Sequence, residues 1–340
     1  MALRTTVIGS WWKQPDWEPE LDRYHRGELS EAGGIQLLDR CAERAIGEQI
    51  DLGLDEWSGG EYWSFNFINH IPELISGTEI VKPAAPEIVD YGDIALTRVV
   101  GEISCPRGMG YAAAFKRESQ LPGGVSKAAV IGPVELLAHA MVHSSDEVFR
   151  QMPAIVEIVN AEVREIADGG CPHVVLDCPS LAIQVNQGSM SPEQAADLVT
   201  QSFAGVSGCK RGIHMCNGNL MGKPGSGTLR IAPWVEILQR LDGVIDIASL
   251  ECSYFSQQLE ADSLRDLPAS MEFAAGVVDE KSYWIESVDK IRERATAWAQ
   301  VVGEERLWLS PTCGFGRHPA RDTDVLRAKM TNMVAAAQSF

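Results

Sequence analysis

The stretch HVVLDCPSLAIQVNQGSMSPEQAADLVTQSFAGVSGCKRGIHMC, residues 173–216, contains two short apolar runs separated by a longer helical pattern. The runs HVVLD (173–177) and GIHMC (212–216) are continuous rather than alternating, which is typical of strands buried on both faces. Between them, SPEQAADLVTQSFAGV (191–206) predicts a helix with Ser191 as its N-cap. A strand, a helix and a second strand in this order predict parallel strands covered by helices.

The same alternation continues along the chain. Further strands are predicted at 5–10, near 54–61, and at 127–133, 244–251, 271–278 and 307–313. Helices are predicted at 31–52, within 134–167, at 232–241, near 255–261, at 287–302 and at 321–338. Strands and helices in this number predict an α/β fold with one domain over residues 1–340, a (β/α)8 TIM barrel.

Segment 62–126 does not fit a strand–helix unit. It contains TEIVK and IALTRVVGEI, which predict a β-hairpin inserted on the upper face of the barrel. No Gly- or Ser-rich linker divides the chain, and its glycine-containing stretches lack the spacing of a dinucleotide-binding loop or a P-loop.

Charge and hydropathy exclude several kinds of partner. The formal net charge of −18 argues against nucleic acid and anionic membranes, because phosphate groups bind clustered Lys and Arg. The sequence contains neither a transmembrane apolar run nor the apolar core of a signal peptide. We therefore expect a cytoplasmic protein whose eight cysteines are thiols rather than disulfides.

Candidate metal ligands follow three of the predicted strands. His214 and Cys216 lie two residues apart and project from the same face of a strand, Glu251 ends the strand in IASLECS, and Cys313 ends the last strand in LSPTCGFG. In a barrel of this type the carboxyl ends of the strands meet at one face, which carries the chemistry. Two thiolates, an imidazole and a carboxylate suit tetrahedral Zn²⁺. Cys252 is discounted because strand alternation points it away from Glu251.

The ligand set indicates the reaction. Two thiolates and a carboxylate bring about three negative charges to the two positive charges of zinc, which makes the ion a poor activator of water. Such an ion instead holds a substrate thiol as a nucleophilic thiolate. Glu251 is the hardest and most displaceable ligand and is expected to leave when the substrate sulfur binds, so we predict alkyl transfer to a thiol with Glu251 as a catalytic residue.

The chain resembles the cobalamin-independent methionine synthase family, specifically its C-terminal catalytic barrel, over nearly its whole length. The motifs that carry the resemblance are TTVIGS (5–10), GGE (59–61), IGPVE (131–135), LDCPSL (176–181), HMC (214–216), SLECS (249–253) and PTCGFG (311–316). The resemblance implies the same four zinc ligands, His214, Cys216, Glu251 and Cys313, and homocysteine as the thiol.

The resemblance also implies a binding site for the amino acid part of homocysteine. Its members are Ile8, Ser10, Glu61 and Asp177, and Asp177 also counts among the predicted catalytic residues. The chemistry agrees, because a backbone N–H and a hydroxyl can bind a carboxylate, while two acids can bind an ammonium group.

Three positions depart from the family pattern. His139 stands where folate-dependent members carry a pterin-stacking Trp, Lys281 where they carry a proton-donating histidine, and Cys178 where they carry a second acid. Losing a proton donor for the leaving group costs ~10²–10⁴ in rate. These departures predict a non-folate methyl donor, with methylcobalamin, free or on a corrinoid protein, as the leading candidate. N-terminal aromatics, including Trp11 and Trp12, are candidates for lining the donor pocket.

Other functions remain open from the sequence. A related zinc thiol alkyltransferase, similar to epoxyalkane–coenzyme M transferases, would share the His-x-Cys…Cys site. The pair Glu61 and Asp177 favours an amino acid thiol, because coenzyme M has no ammonium group. A non-catalytic partner in a corrinoid system and a metal-free decarboxylase of the uroporphyrinogen type are the remaining alternatives.

Overall fold

The computed structural model describes residues 2–63, 74–82, 96–136, 141–219, 230–253, 260–316 and 323–340. The strands among these residues are β1 (Arg4–Thr5), β2 (Ser76–Lys82), β3 (Leu96–Ser104), β4 (Lys127–Ile131), β5 (His173–Asp177), β6 (Lys210–Met215), β7 (Ile247–Glu251), β8 (Glu272–Val278) and β9 (Leu307–Pro311). Seven of the described strands form one parallel sheet in the order β1-β9-β8-β7-β6-β5-β4, and β2 pairs with β3 in a separate antiparallel sheet.

Helices alternate with the parallel strands. The α-helices of the described residues are α1 (Glu18–His25), α2 (Glu31–Leu52), α3 (Tyr111–Glu118), α4 (Pro133–Leu136), α5 (Met141–Arg150), α6 (Met152–Asp168), α7 (Pro179–Gln187), α8 (Pro192–Ser202), α9 (Ala232–Arg240), α10 (Val288–Val302) and α11 (Thr323–Gln338). None of these described helices is long and apolar enough to cross a membrane.

The predicted alternation of strands and helices is confirmed from β4 onward. The strand β5 has the predicted bounds, and β6 to β9 overlap their predicted runs. Ser191 and Ser287 cap their helices as expected, accepting hydrogen bonds from the backbone N–H groups of Gln194 at 3.1 Å and Lys290 at 3.2 Å. The helix predicted near 255–261 falls largely outside the described residues, and a short 3-10 helix, Ala261–Asp266, follows.

The predicted eight-stranded sheet is found as seven strands among the described residues. Of the predicted run 5–10 only Thr5 lies in regular strand, as the last residue of β1, and residues 54–61 contribute one isolated parallel bridge, between Ser10 and Gly60. Between these two segments, the carboxylate of Asp55 accepts the Thr5 N–H at 2.7 Å, so a side chain rather than a neighbouring strand takes this donor.

The insertion at 62–126 contains the predicted hairpin as the antiparallel pair β2 and β3. It also contains α3, which we did not predict. The hairpin is bound to the start of α6, where Gln151 accepts a hydrogen bond from the Ile103 N–H at 3.0 Å and donates to the Gly101 carbonyl at 2.9 Å.

Strand register brings the sequence-predicted site residues to one edge of the sheet. Asp177 pairs with His214 across β5 and β6, and Glu251 ends the next strand, β7. Since parallel strands align their carboxyl ends, side chains far apart in sequence become neighbours at this edge.

Candidate metal centre

Three of the four predicted metal ligands lie together at the carboxyl ends of the strands. One ligand atom from each of His214, Cys216 and Cys313 lies within 4.8 Å of the others, and the two sulfurs are 3.7 Å apart. His214 is part of β6, Cys216 follows it directly, and Cys313 lies two residues beyond β9. The cluster therefore forms only when these two strands enter the same sheet.

The imidazole of His214 has the form that a metal ligand needs. The side chain is fully buried, and among the described residues neither ring nitrogen makes a hydrogen bond of normal geometry, although the Ser249 backbone acts weakly on the ring. Burial lowers the pKa of His214 to about 3, and the ammonium groups of Lys127 and Lys281 add to the shift, so the ring is neutral. A buried imidazole without partners is costly unless something binds it, and a cation between it and the sulfurs would do so.

The spacing of the sulfurs also fits an ion. Two sulfurs bound at about 2.3 Å to one tetrahedral zinc lie ~3.8 Å apart, close to the observed 3.7 Å. Cys216 is buried and accepts a hydrogen bond from the Gly218 N–H at 3.2 Å, a contact that suits a negatively charged sulfur. Without a cation, the hydrogen bond to Cys313 and burial raise the pKa of Cys216 well above its usual value. A bound cation reverses that balance and deprotonates a coordinating thiol.

A polar contact joins the two cysteine loops. The side-chain amide of Asn219, three residues after Cys216, donates to the Gly314 carbonyl, next to Cys313, at 3.2 Å. This contact fixes the spacing of the two thiols through their own loops.

Glu251, the fourth predicted ligand, lies next to the cluster but outside it. Its side chain is fully buried at the end of β7, and its Oε2 accepts hydrogen bonds from the Asn217 N–H at 2.8 Å and from Lys281 Nζ at 3.3 Å. Its Oε1 has no partner among the described residues. Burial raises the pKa of Glu251 to about 7, although the Lys281 ammonium lowers it. One carboxylate oxygen therefore remains available to a metal ion.

Sequence reasoning noted Lys281 but missed its partners. The Lys281 side chain is 3% exposed and forms ion pairs with Glu280 Oε1 at 2.8 Å and Glu251 Oε2 at 3.3 Å. Burial disfavours the charge, but the two carboxylates outweigh it and hold the pKa of Lys281 well above its usual value. The run Asp-Glu-Lys directly after an apolar strand was the signal that could have pointed to this ion-pair network.

Of Ser10 and Ile8, predicted to bind the homocysteine carboxylate, Ser10 contacts the loop that carries Cys313. Ile8 is buried, and Ser10 Oγ accepts a hydrogen bond from the Gly316 N–H at 3.0 Å. The Ser10 carbonyl accepts another from the Phe315 N–H at 3.1 Å. The segment with Ser10 is therefore held against the loop that carries a candidate metal ligand.

Glu61 and Asp177, predicted to bind the substrate ammonium, form an acidic pair. Burial raises the pKa of Glu61 to about 8, with additional effects from Asp177 and Glu118, and burial raises that of Asp177 to about 7. Glu61 has a φ of 61°, and a Cβ on Gly9 would clash with its carboxylate. Asp177 Oδ1 is buried and without a partner among the described residues. Glu118, the third acid, was not predicted.

The aromatic residues correct one expectation. Trp11 and Trp12 are each 1% exposed, stack with ring centroids 3.9 Å apart, and contact Phe315 edge-on. They form part of the core and cannot line a donor pocket. Cys252 is likewise buried in the core, in agreement with its exclusion from the ligand set.

Fold and site together define a class, that of parallel α/β proteins with a candidate nitrogen- and sulfur-ligated metal centre at the carboxyl ends of the strands. Residues 3–339 match the family described as "Cobalamin-independent synthase, Catalytic domain". The chain belongs to this family, which confirms the resemblance drawn from its motifs.

Individual relatives agree with the family match. The 5-methyltetrahydropteroyltriglutamate–homocysteine methyltransferase of Nitratidesulfovibrio vulgaris is 25% identical, over 99% of this chain and 41% of the relative. The chloroplastic enzyme 3 of the same name from Arabidopsis thaliana is 22% identical, over 99% of this chain and 40% of the relative. The chain thus spans about two fifths of the length of these curated relatives.

A solved structure has the same fold. It is a B12-independent methionine synthase from Shewanella sp. W3-18-1 in complex with selenomethionine, with a TM-score of 0.76 at 18% identity, covering 100% of this chain and 97% of that one. At this level of identity the likeness establishes the fold.

The predicted methyl donor is wrong. The family is cobalamin-independent, and the relatives are named for a methyltetrahydropteroyltriglutamate donor, which contradicts methylcobalamin or a corrinoid protein. The prediction depended on His139, which lies outside the described residues, on Lys281, which is buried in ion pairs, and on Cys178, which is buried in the core. Three substituted positions were given more weight than motifs that match along the whole chain.

Proposed function

We propose that this protein transfers a methyl group from a methyltetrahydropteroylglutamate to the thiol of homocysteine, giving methionine. The observation that carries the proposal is the buried cluster of His214, Cys216 and Cys313 at the carboxyl ends of the strands. The names of relatives that align over 99% of the chain supply the donor and the acceptor.

Zinc is the metal that these residues suit best. His214, Cys216 and Cys313 would hold it, with Glu251 as the fourth and most weakly bound ligand. The ion supplies a positive charge that keeps the thiol of homocysteine deprotonated at neutral pH while leaving it nucleophilic.

The side chains of the pocket would orient the acceptor. Glu61 and Asp177 bind the ammonium group of homocysteine, and Ser10 with the backbone near Ile8 binds its carboxylate. The high pKa values of Glu61 and Asp177 support this role, because burial outweighs the neighbouring Lys13 and Lys127 and the two acids therefore favour a positively charged ligand. Substrate orientation of this kind lowers the entropic part of the barrier.

Glu251 and Asp177 have the catalytic roles in this proposal. Glu251 would be the ligand most readily given up to the acceptor thiol, and Asp177 would hold the ammonium group of the acceptor and so orient its sulfur. Glu251 Oε1 and Asp177 Oδ1 have no partner in the part of the chain that the structure describes, which supports both roles because each has capacity for one more contact.

We also propose that residues 54–60 complete an eight-stranded barrel. The Glu56 N–H donates to the Thr5 carbonyl at 3.2 Å, and the Ser126 N–H donates to the Trp57 carbonyl at 3.1 Å, so this segment has bonds to chain on both sides.

A cytoplasmic location is supported by the eight cysteines, all of which are free thiols.

The test is methionine formation by zinc-loaded protein from homocysteine and methyltetrahydropteroyltriglutamate. Parallel reactions replace homocysteine with coenzyme M, or omit the donor. We expect methionine only in the complete reaction, and none from His214→Ala protein. Methylated coenzyme M without methionine would instead support a transferase for another thiol, and no product in any reaction would contradict methyl transfer.

A further inference from the structure

Lys281 connects Glu251 to a second buried acid. Its ammonium lies between Glu251 Oε2, at 3.3 Å, and Glu280 Oε1, at 2.8 Å. Both acids are at most 1% exposed, and the other oxygen of Glu280 accepts a hydrogen bond from the Thr312 hydroxyl. Thr312 precedes Cys313, so this network extends from one predicted ligand to the neighbour of another.

Helix α11 holds the loop that carries Lys281. Lys329 of α11 is fully buried and donates to the Asp279 carbonyl at 2.9 Å, to the Trp284 carbonyl, and to Glu286 Oε2 at 2.8 Å. The Lys281 N–H also donates to Asp279 Oδ1 at 3.1 Å. These contacts hold both ends of residues 279–286, so the ammonium of Lys281 occupies a defined position rather than a flexible one.

Glu251 therefore already has a cationic partner. Its Oε2 is shared between Lys281 and the Asn217 N–H, and its carboxylate lies outside the group formed by His214, Cys216 and Cys313. A metal ion that binds Glu251 would approach the ammonium of Lys281. The two positive charges repel each other strongly in a site without water, so they compete for the carboxylate. The Lys281 ammonium also acts on His214 and the two thiols through its charge, but among the described residues its ion pairs are with Glu251 and Glu280.

We propose that Lys281 is a positioning residue that competes with the metal ion for Glu251 and so makes Glu251 the ligand that the substrate thiol replaces. This inference rests on the proposed function, because it concerns the metal and the thiol named there. In this role Lys281 lowers the affinity of the metal ion for Glu251, its fourth ligand.

A double-mutant cycle separates this competition from the general field of a nearby charge. Zn²⁺ affinity is measured by competition with a chromophoric chelator for the wild type, Lys281→Met, Glu251→Gln and the double variant. Homocysteine affinity is measured in the same four proteins loaded with Co²⁺, from the sulfur-to-metal charge-transfer band. Lys290→Met, which removes an exposed lysine paired with Glu293, is the matched control.

Lys281→Met should tighten Zn²⁺ binding and weaken homocysteine binding, each by about tenfold, the lower end of the range for partners of metal ligands. In the Glu251→Gln background the same substitution should change both affinities much less, because only the field of the ammonium on His214 and the two thiols is then removed. Lys281→Gln, which keeps hydrogen-bond donors for Glu280, should behave like Lys281→Met and serves if the latter does not fold.

Equal effects with and without Glu251, or none, would overturn the inference while leaving the proposed function intact, provided that wild-type protein binds zinc and homocysteine. Wild-type protein that binds neither would overturn both.

Discussion

Buried carboxyl groups with raised pKa values dominate the chemistry of individual residues near the strand ends. Burial raises the pKa of Glu118 to about 8, and Glu61 and Asp177 are shifted in the same direction. Sequence could predict Glu61 and Asp177, because they stand in motifs at strand ends. It could not predict Glu118, because α3 brings this acid to Gly59 from an inserted segment that has no local motif.

The acid Glu118 should make stability depend on pH. Its pKa is higher in the folded state, about 8, than its usual value of 4.5, so the folded protein binds more protons between these pH values and loses stability as pH rises. Between pH 6 and pH 8 the loss from this residue is about 2 kcal/mol. Glu118→Gln should remove that part of the decline in urea unfolding, whereas the exposed control Glu157→Gln should keep it. An unchanged decline in Glu118→Gln would contradict this assignment.

A single methyl group at Gly9 should damage the acceptor site. A Cβ there would clash with the Glu61 carboxylate and lie 2.9 Å from the Ala129 Cβ, so Glu61 must move. We expect Gly9→Ala to raise the KM for homocysteine at least about tenfold, the effect of losing roughly one charged hydrogen bond. Steady-state kinetics measure it.

Gly47→Ala is the matched control, because a Cβ at this position inside α2 meets nothing within 4 Å. It should leave KM unchanged and raise the free energy of unfolding by up to about 1 kcal/mol. A wild-type KM in Gly9→Ala protein would show that Glu61 does not bind the acceptor.

Helices and strands that are stabilised by contacts within their own sequence were predicted correctly. The strand β5 and the helix α2 have their predicted bounds, because apolar runs and serine caps define them within the sequence itself. Helix α3 was missed because its N-terminal cap is remote: Glu162 of α6 accepts the N–H groups of Gly110 at 3.2 Å and Ala112 at 2.8 Å. A cap that comes from another helix leaves no pattern in the surrounding residues.

The loop 279–286 should depend on Lys329. Lys329→Met removes the ammonium paired with the buried Glu286 carboxylate and two bonds to loop carbonyls. The carboxylate keeps the Asp279 N–H at 2.9 Å and Arg294, 3.7 Å away. Breaking a buried pair in this way costs about 3 kcal/mol of unfolding free energy. Hydrogen exchange should increase in residues 279–286, and the exposed pair variant Lys290→Met should change stability by less than ~0.5 kcal/mol. Unchanged exchange would mean that other contacts hold the loop.

For the molecule as a whole, the family and the α/β fold were predictable because motifs recur in order along the entire chain. The convergence of His214, Cys216 and Cys313 followed from parallel topology, since the ends of parallel strands meet. The contacts of Glu251 did not follow, because its partner Lys281 lies on a loop whose course α11 determines. The methyl donor was mispredicted because a few substituted residues do not determine which donor a site binds. The remaining residues of the site also contribute to that choice.

The central claim, a zinc ion held by His214, Cys216 and Cys313, is tested most directly by the zinc content of purified protein after dialysis. We predict about one zinc ion per chain in the wild type and in Cys209→Ser, which changes a partly buried thiol outside the site. Cys313→Ser should retain much less than one. Wild-type protein without zinc, or Cys313→Ser protein with as much zinc as the wild type, would contradict the account.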